Sequence, residues 1–221
     1  MHPAIAGEYF MQKFFIFIFF LATGCGVQQV STAKTTLPEQ QGNAVVKTEG
    51  RSTEEPQPKE TPIAGIALKP KTVLNGKLSL LVPEDFSEMD DEMLRFKYPS
   101  ERRPTLAFTN KSASINVAIN HTKDRMPQSE ISVFHKQMDG MFRNLYPSAT
   151  WFESGVVDIN GRQWLTLNVR TPAVDTEIRN IMAGTSVDGR LLLVSVNFTR
   201  EQEDQWLGPA TEIIQSLRVK E

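Results

Sequence analysis

Few residues in this 221-residue chain have types and spacings that support chemistry. Cys25 is the single cysteine, so an intrachain disulfide and a thiolate metal cage are both excluded. His121 and His135 lie 14 positions apart, outside the short spacings that put two imidazoles on one metal. A site joining them with Asp124 or Asp139 is conceivable, but His135 follows Ile131 by one helical turn and also fits the edge of a core. Ser154 and Ser186 stand near glycines without a Gly-x-Ser-x-Gly elbow, and turns between strands account for those glycines. Asp90, Asp91 and Glu92 are adjacent, whereas acid–base work needs two carboxyl groups facing each other across a set distance. They read as a solvated acidic loop. No glycine-rich loop leads from a strand into a helix, so no phosphate cradle is present. The expectation is a chain that is not an enzyme, with no catalytic residue, no metal site and no cofactor.

One surface motif stands out. Arg95, Lys97, Arg102 and Arg103 lie close together with Phe96 and Tyr98 interleaved, a candidate interaction surface for anionic headgroups or an acidic partner. The whole chain carries 24 Lys+Arg against 26 Asp+Glu, a net charge of −2, so nucleic acid is not an expected partner. Trp151, Trp164 and Trp206 fall on expected strand or helix faces and read as core.

The elements that carry these residues begin with an address. Phe14 to Ala22 is a nine-residue apolar run preceded by Lys13. That is the length of a signal-peptide hydrophobic region, well short of the roughly 20 residues a spanning helix needs. Glu8 and the low positive charge of residues 1–10 suit a signal peptide poorly, so translation is expected to start at Met11. The run ends Leu21-Ala22-Thr23-Gly24-Cys25, which resembles the lipobox of bacterial lipoproteins, with Ala22 where Leu is usual. The resemblance implies cleavage between Gly24 and Cys25 and attachment of lipid, palmitate included, to Cys25. It also implies a membrane partner through that anchor, a place in the bacterial cell envelope facing the periplasm, and an envelope protein partner. Gly26 rather than Asp after the cysteine tilts the family's sorting rule towards the outer membrane.

Residues 26–62 contain no Phe, Trp, Tyr, Ile or Met and are rich in Gln, Thr, Glu, Lys and Pro. Such a stretch buries too little to offset ordering, so residues 25–62 read as the lipidated cysteine and a disordered tether. A coil of that length averages about 35 Å end to end.

Residues 63–221 form the expected domain. Asn75-Gly76, Asn160-Gly161 and Asp188-Gly189 each mark a type I′ hairpin turn between apolar runs. Leu94 to Tyr98 reads as a short strand, as do 104–109 and 114–121. Ile131, Phe134, Met138, Met141, Phe142 and Leu145 recur at helical spacing, with Pro127 at the first helical position and Pro147 as the stop. Thr199 and Gln202 have capping-box spacing ahead of a second stripe, Trp206, Ala210, Ile213, Ile214 and Leu217. Strands joined by tight turns make an antiparallel sheet, and each amphipathic helix needs a sheet face to cover, so the fold class is α+β.

From Leu74 to Lys220 this order of elements resembles the PsbP extrinsic proteins of photosystem II, a small Ran-binding nuclear import factor and bacterial envelope lipoproteins of the DcrB type. Leu80-Leu81-Val82-Pro83-Glu84-Asp85-Phe86, Ser114 to Ile119 and Ile213 to Arg218 carry the likeness. It implies a PsbP-like α/β/α sandwich and supplies no catalytic residues. The function it implies is a non-catalytic binding or structural module, with a periplasmic small-ligand or metal carrier, using a cleft near His121, as the alternative.

Overall fold

The computed structural model describes residues 65–220. Met11, Gly24, Cys25, the 25–62 segment and the boundary at residue 63 lie outside the described residues.

The described residues begin with β1 (Leu68–Val73) and β2 (Leu78–Pro83), then β3 (Ser87–Glu88), helix α1 (Asp91–Lys97), β4 (Leu106–Thr109) and β5 (Asn116–Arg125). Helix α2 (Ile131–Leu145) follows, then β6 (Thr150–Ile159), β7 (Arg162–Pro172), β8 (Glu177–Val187) and β9 (Arg190–Thr199). Helix α3 (Glu203–Gln215) and β10 (Arg218–Val219) close the chain. Seven strands pair antiparallel in the order β3-β4-β5-β9-β8-β7-β6, and β1-β2-β10 form a second sheet.

Strand alternation sorts the core into two faces. Ile181, Ala183, Leu192, Val194 and Val196 pack with Trp206, Ala210 and Ile213 of α3 and with Leu78, Leu80 and Val82 of the small sheet. Their neighbours Met182, Leu191 and Leu193 point the other way, onto Phe134, Met138, Met141 and Phe142 of α2. On that second face Ala107 and Ala118 receive Met89, Leu94 and Tyr98. The result is an antiparallel sheet flanked by helices, an α+β sandwich in α/β/α order.

Two of the three expected hairpin turns are tight. Asn160-Gly161 has φ values of 53° and 80°, and Asp188-Gly189 has 52° and 69°, the signs a type I′ turn requires. The first turn is wider than expected. Leu74, Asn75 and Gly76 all have positive φ, and the four residues 74–77 separate Val73 from its partner Leu78. Leu74 thereby packs its side chain against the core, which offsets the strain of that backbone.

The expected strand at Leu94–Tyr98 is helix instead. Asp90 caps α1 by accepting from the Met93 amide at 2.8 Å. Asp91 and Glu92 occupy the first turn, and Arg95 and Lys97 the last, each at the favourable end of the helix dipole. The acidic run is therefore a helix start rather than a loop. Pro127 caps a 3-10 turn (Gln128–Glu130) that leads into α2, one step earlier than expected. The Thr199–Gln202 capping box forms as its spacing predicts. Leu217 lies past the end of α3 yet is fully buried.

A buried polar row crosses the helix-covered face shared by Ala118 and Leu193. Thr109 donates to Asn116 Oδ1 at 2.9 Å, Asn197 to Asn180 Oδ1 at 2.6 Å, and Asn180 to Thr171 at 3.0 Å. Asn116, Asn197 and Asn180 are register partners across β5, β9 and β8.

Candidate functional site

The site arises from unequal strand lengths. β4 spans four residues and its pairing with β5 ends at Leu106↔Ile119. β5 runs on to Arg125, and its register with β9 breaks between His121 and Arg125. Residues 120–124 thus leave β4 behind, and 122–124 between them bulge away from β9, an irregularity that re-aims side chains. The loop after α1 crosses this stretch. Thr105 Oγ1 accepts from the His121 amide at 2.9 Å, and Asn120 Nδ2 donates to the Arg102 carbonyl at 3.4 Å. Between loop and strand lies a cleft of about 390 Å³. Arg102, Arg103 and Thr105 line one wall, Thr122, Lys123 and Asp124 the other, with Leu193 also contributing.

Of the four residues of the expected basic surface, two reach the cleft. Arg102 and Arg103 line the cleft, whereas Arg95 and Lys97 do not. Arg95 is exposed on α1 and meets Asp91 one turn back at 3.4 Å. Lys97 donates to the carbonyl of Ala113, and burial lowers its ammonium to about 8. The helix also parts the interleaved aromatics: successive residues rotate by about 100°, so Phe96 faces solvent (77% exposed) while Tyr98 is buried. Arg102 pairs with Asp124 at 3.2 Å. Arg103 donates Nε to the Ser100 carbonyl at 3.0 Å.

His121 belongs to the cleft, but its ring is committed. Nε2 lies 2.9 Å from the Val187 carbonyl, which only accepts, so Nε2 carries the proton. Nδ1 then accepts from Arg190 at 3.4 Å. Neither nitrogen is presented to a metal. His135 lies elsewhere, on α2, where Nε2 is 2.8 Å from Ser154 Oγ. Ser154 donates to Asp139 Oδ1, and Arg143 grips the same carboxylate at 2.7 and 3.2 Å. Arg143 holds Asp139 below the usual carboxylate range. The two histidines are therefore in separate environments. Among the described residues no group of three or more His, Cys, Asp or Glu side chains is placed to hold a metal ion.

This arrangement joins His135 and Asp139, one turn apart on α2, to a serine 19 and 15 residues further along the sequence. A hydrolytic triad puts the histidine between the other two, taking the serine proton. Here the serine is central and its proton faces the carboxylate. The cluster ties α2 to β6. Ser186 is buried, and its amide donates to Gln128 Oε1 at 3.1 Å. Trp164 and Trp206 are core, while Trp151 is half-buried under the Arg143 guanidinium, 4.0 Å from its centroid.

Sequence reasoning missed Lys123, Thr105 and Thr122. The signal was weak: Thr122-Lys123-Asp124-Arg125 follows an apolar alternation that stops at Ile119, which marks where the strand leaves its neighbour.

No family model matches the chain, and no curated protein matches it. Solved structures do. The solution structure of cyanobacterial PsbP (CyanoP) from Synechocystis sp. PCC 6803 overlays with a TM-score of 0.51 at 13% identity, covering 72% of this chain and 96% of that one. The fold is PsbP-like. LpqN of Mycobacterium tuberculosis, described as involved in cell envelope biogenesis, overlays less closely (TM-score 0.47, 9% identity, 70% of this chain and 91% of that one). The Ran-binding protein Mog1p of Saccharomyces cerevisiae does so at 0.42, with 14% identity over 70% of this chain and 96% of that one. At these identities the PsbP-like likeness is one of architecture. Among the described residues no helix is long and apolar enough to cross a membrane.

Proposed function

We propose that the chain is a lipid-anchored module of the bacterial cell envelope that binds rather than catalyses. In this reading Cys25 carries the lipid after cleavage at Gly24, and residues 25–62 tether the PsbP-like domain so that it faces the periplasm, with Gly26 favouring the outer membrane. The anchor rests on the Leu21–Cys25 sequence after a nine-residue apolar run. Binding is carried by one observation: the cleft beside β5 is a concavity lined by charged side chains, cations outnumbering carboxylates, in the size range of small-ligand sites. The absence of catalysis is supported by the His121 ring, engaged through both nitrogens, and by the reversed order of the Ser154 cluster.

Palmitate labelling tests the anchor. The wild-type chain takes up label and fractionates with membranes, and Cys25→Ala abolishes both. An unlabelled wild-type chain, or one wholly in the cytosol, overturns the anchor. Crosslinking in intact cells, followed by affinity capture from membranes, tests the protein partner. Recovery of no specific envelope protein counts against it.

The cleft also favours a second reading, carriage of a small ligand in the periplasm. Native mass spectrometry of the purified chain separates the two: a stoichiometric retained ligand supports carriage, and a bare mass supports a docking module.

A further inference from the structure

The cleft is charged unevenly. Its walls carry three cations, Arg102, Arg103 and Lys123, and two carboxylates, Glu101 and Asp124. Arg102 and Asp124 neutralise each other at 3.2 Å. Among the described residues Arg103 uses only Nε, on the Ser100 carbonyl, which leaves its two terminal nitrogens available there. Lys123 is exposed and meets no carboxylate among the described residues. Glu101, also exposed, is the lining carboxylate that meets no cation among the described residues.

Two hydroxyls complete the donor set. Thr105 Oγ1 accepts from the His121 amide, and Thr122 Oγ1 accepts from the Asp124 amide at 3.1 Å. Each oxygen is oriented through its lone pairs, so each hydroxyl proton remains to be donated. An unspent guanidinium edge, an ammonium and two oriented hydroxyls are all donors, and such a set fits a group of several acceptor oxygens with negative charge. The volume of about 390 Å³ leaves room for a small organic body beyond that group, against the side chain of Leu193.

We propose that this cleft binds a phosphate group, as a free phosphate ester or as a lipid headgroup, held by Arg103 and Lys123 with Thr105 and Thr122 donating. The inference rests on the reading of the cleft as the binding site and is independent of the anchor. Arg102 is a positioning residue, keeping Asp124 neutralised. Loss of palmitate labelling would refute the anchor and leave this site standing.

The test titrates the full chain, followed by amide chemical shifts, with inorganic phosphate and glycerol 3-phosphate. In parallel it measures binding to phosphatidylcholine vesicles with and without phosphatidic acid. Soluble phosphates that shift the amides of residues 103, 105, 122 and 123 identify a phosphate-ester site. Binding restricted to the phosphatidic acid increment identifies a headgroup site. In either case Arg103→Gln and Lys123→Gln each weaken binding about tenfold or more at low salt. Lys123 is exposed, so its variant keeps the fold and a matched thermal melt verifies this. Absence of binding to every probe, or binding that survives both substitutions, overturns the proposal.

Discussion

Ser154 donates its hydroxyl proton to Asp139, Oγ to Oδ1 at 2.5 Å. The carboxylate can only accept, so Ser154 Oγ in turn accepts from His135 Nε2 at 2.8 Å. Histidine therefore acts as donor to the hydroxyl and not as its base. We expect Ser154 to resist a fluorophosphonate probe that labels activated serines. Stable labelling lost in Ser154→Ala would contradict the assignment. The cluster is solvent-exposed, so Ser154→Ala costs under about 1 kcal/mol in urea unfolding.

Lys97 and the neighbouring Tyr98 act in opposite directions on alkaline stability. Burial lowers Lys97 to about 8, so above that pH the folded chain has released a proton that the unfolded chain still holds. Stability therefore rises from about pH 8 towards the ordinary lysine value. Burial raises the Tyr98 phenol, and Tyr146 as well, so ionisation of the unfolded tyrosines erodes stability above about pH 10. Urea midpoints measured from pH 7 to 11 should pass through a maximum between these limits. Lys97→Met should flatten the rising limb and leave the falling one.

Glu203 holds two guanidinium groups at the start of α3. It pairs with Arg179, whose side chain is only 3% exposed, and lies 3.5 Å from Arg170. The Phe152 ring stacks on the Arg179 guanidinium at 3.2 Å. Desolvation pulls the Arg179 guanidinium below its ordinary value, with the Glu203 charge opposing that shift. Removing Glu203 leaves the buried Arg179 with only the weaker influence of Glu153, so Glu203→Ala should cost about 3 kcal/mol. Replacing both partners together, as Glu203→Leu with Arg179→Met, should cost less. Chemical denaturation of the three chains checks the order.

Gly184 sits between Leu165 and Leu193 in adjacent strands. A Cβ there would approach Leu193 Cδ2 to 2.7 Å and Leu165 to 3.1 Å. Both leucines are buried under α2, so Gly184→Ala should destabilise by about 1–3 kcal/mol through overpacking. Leu193 also lines the cleft, and the same substitution should perturb the amides of residues 120–124.

Much of this architecture can be read from local chemistry. Asn160-Gly161 and Asp188-Gly189 set their turns because few other residues accept two successive positive φ angles, and Ile131 to Leu145 announces its helix through periodicity. α1 was less legible, since Leu94-Arg95-Phe96-Lys97-Tyr98 alternates like a strand. Its helical state follows from the Asp90 cap and from burial of Leu94 and Tyr98 on Ala107 and Ala118, a contact made across the chain. Of the candidate site, Arg102 and Arg103 were visible as charges. Their separation from Arg95 and Lys97 depended on that same helix. Lys123 and the two threonines could not be joined to them, because the cleft exists only where β5 outlasts β4, and strand length is fixed by pairing.

That mismatch between β4 and β5 exposes a hazard. A strand that outruns its neighbour offers bare backbone amides and carbonyls to any passing extended chain. The crossing loop guards this stretch, with the Thr105 hydroxyl occupying the His121 amide and Asn120 bound back to Arg102. The strap that shapes the cleft thus also discourages edge-to-edge aggregation, and loosening it should promote self-association of the chain.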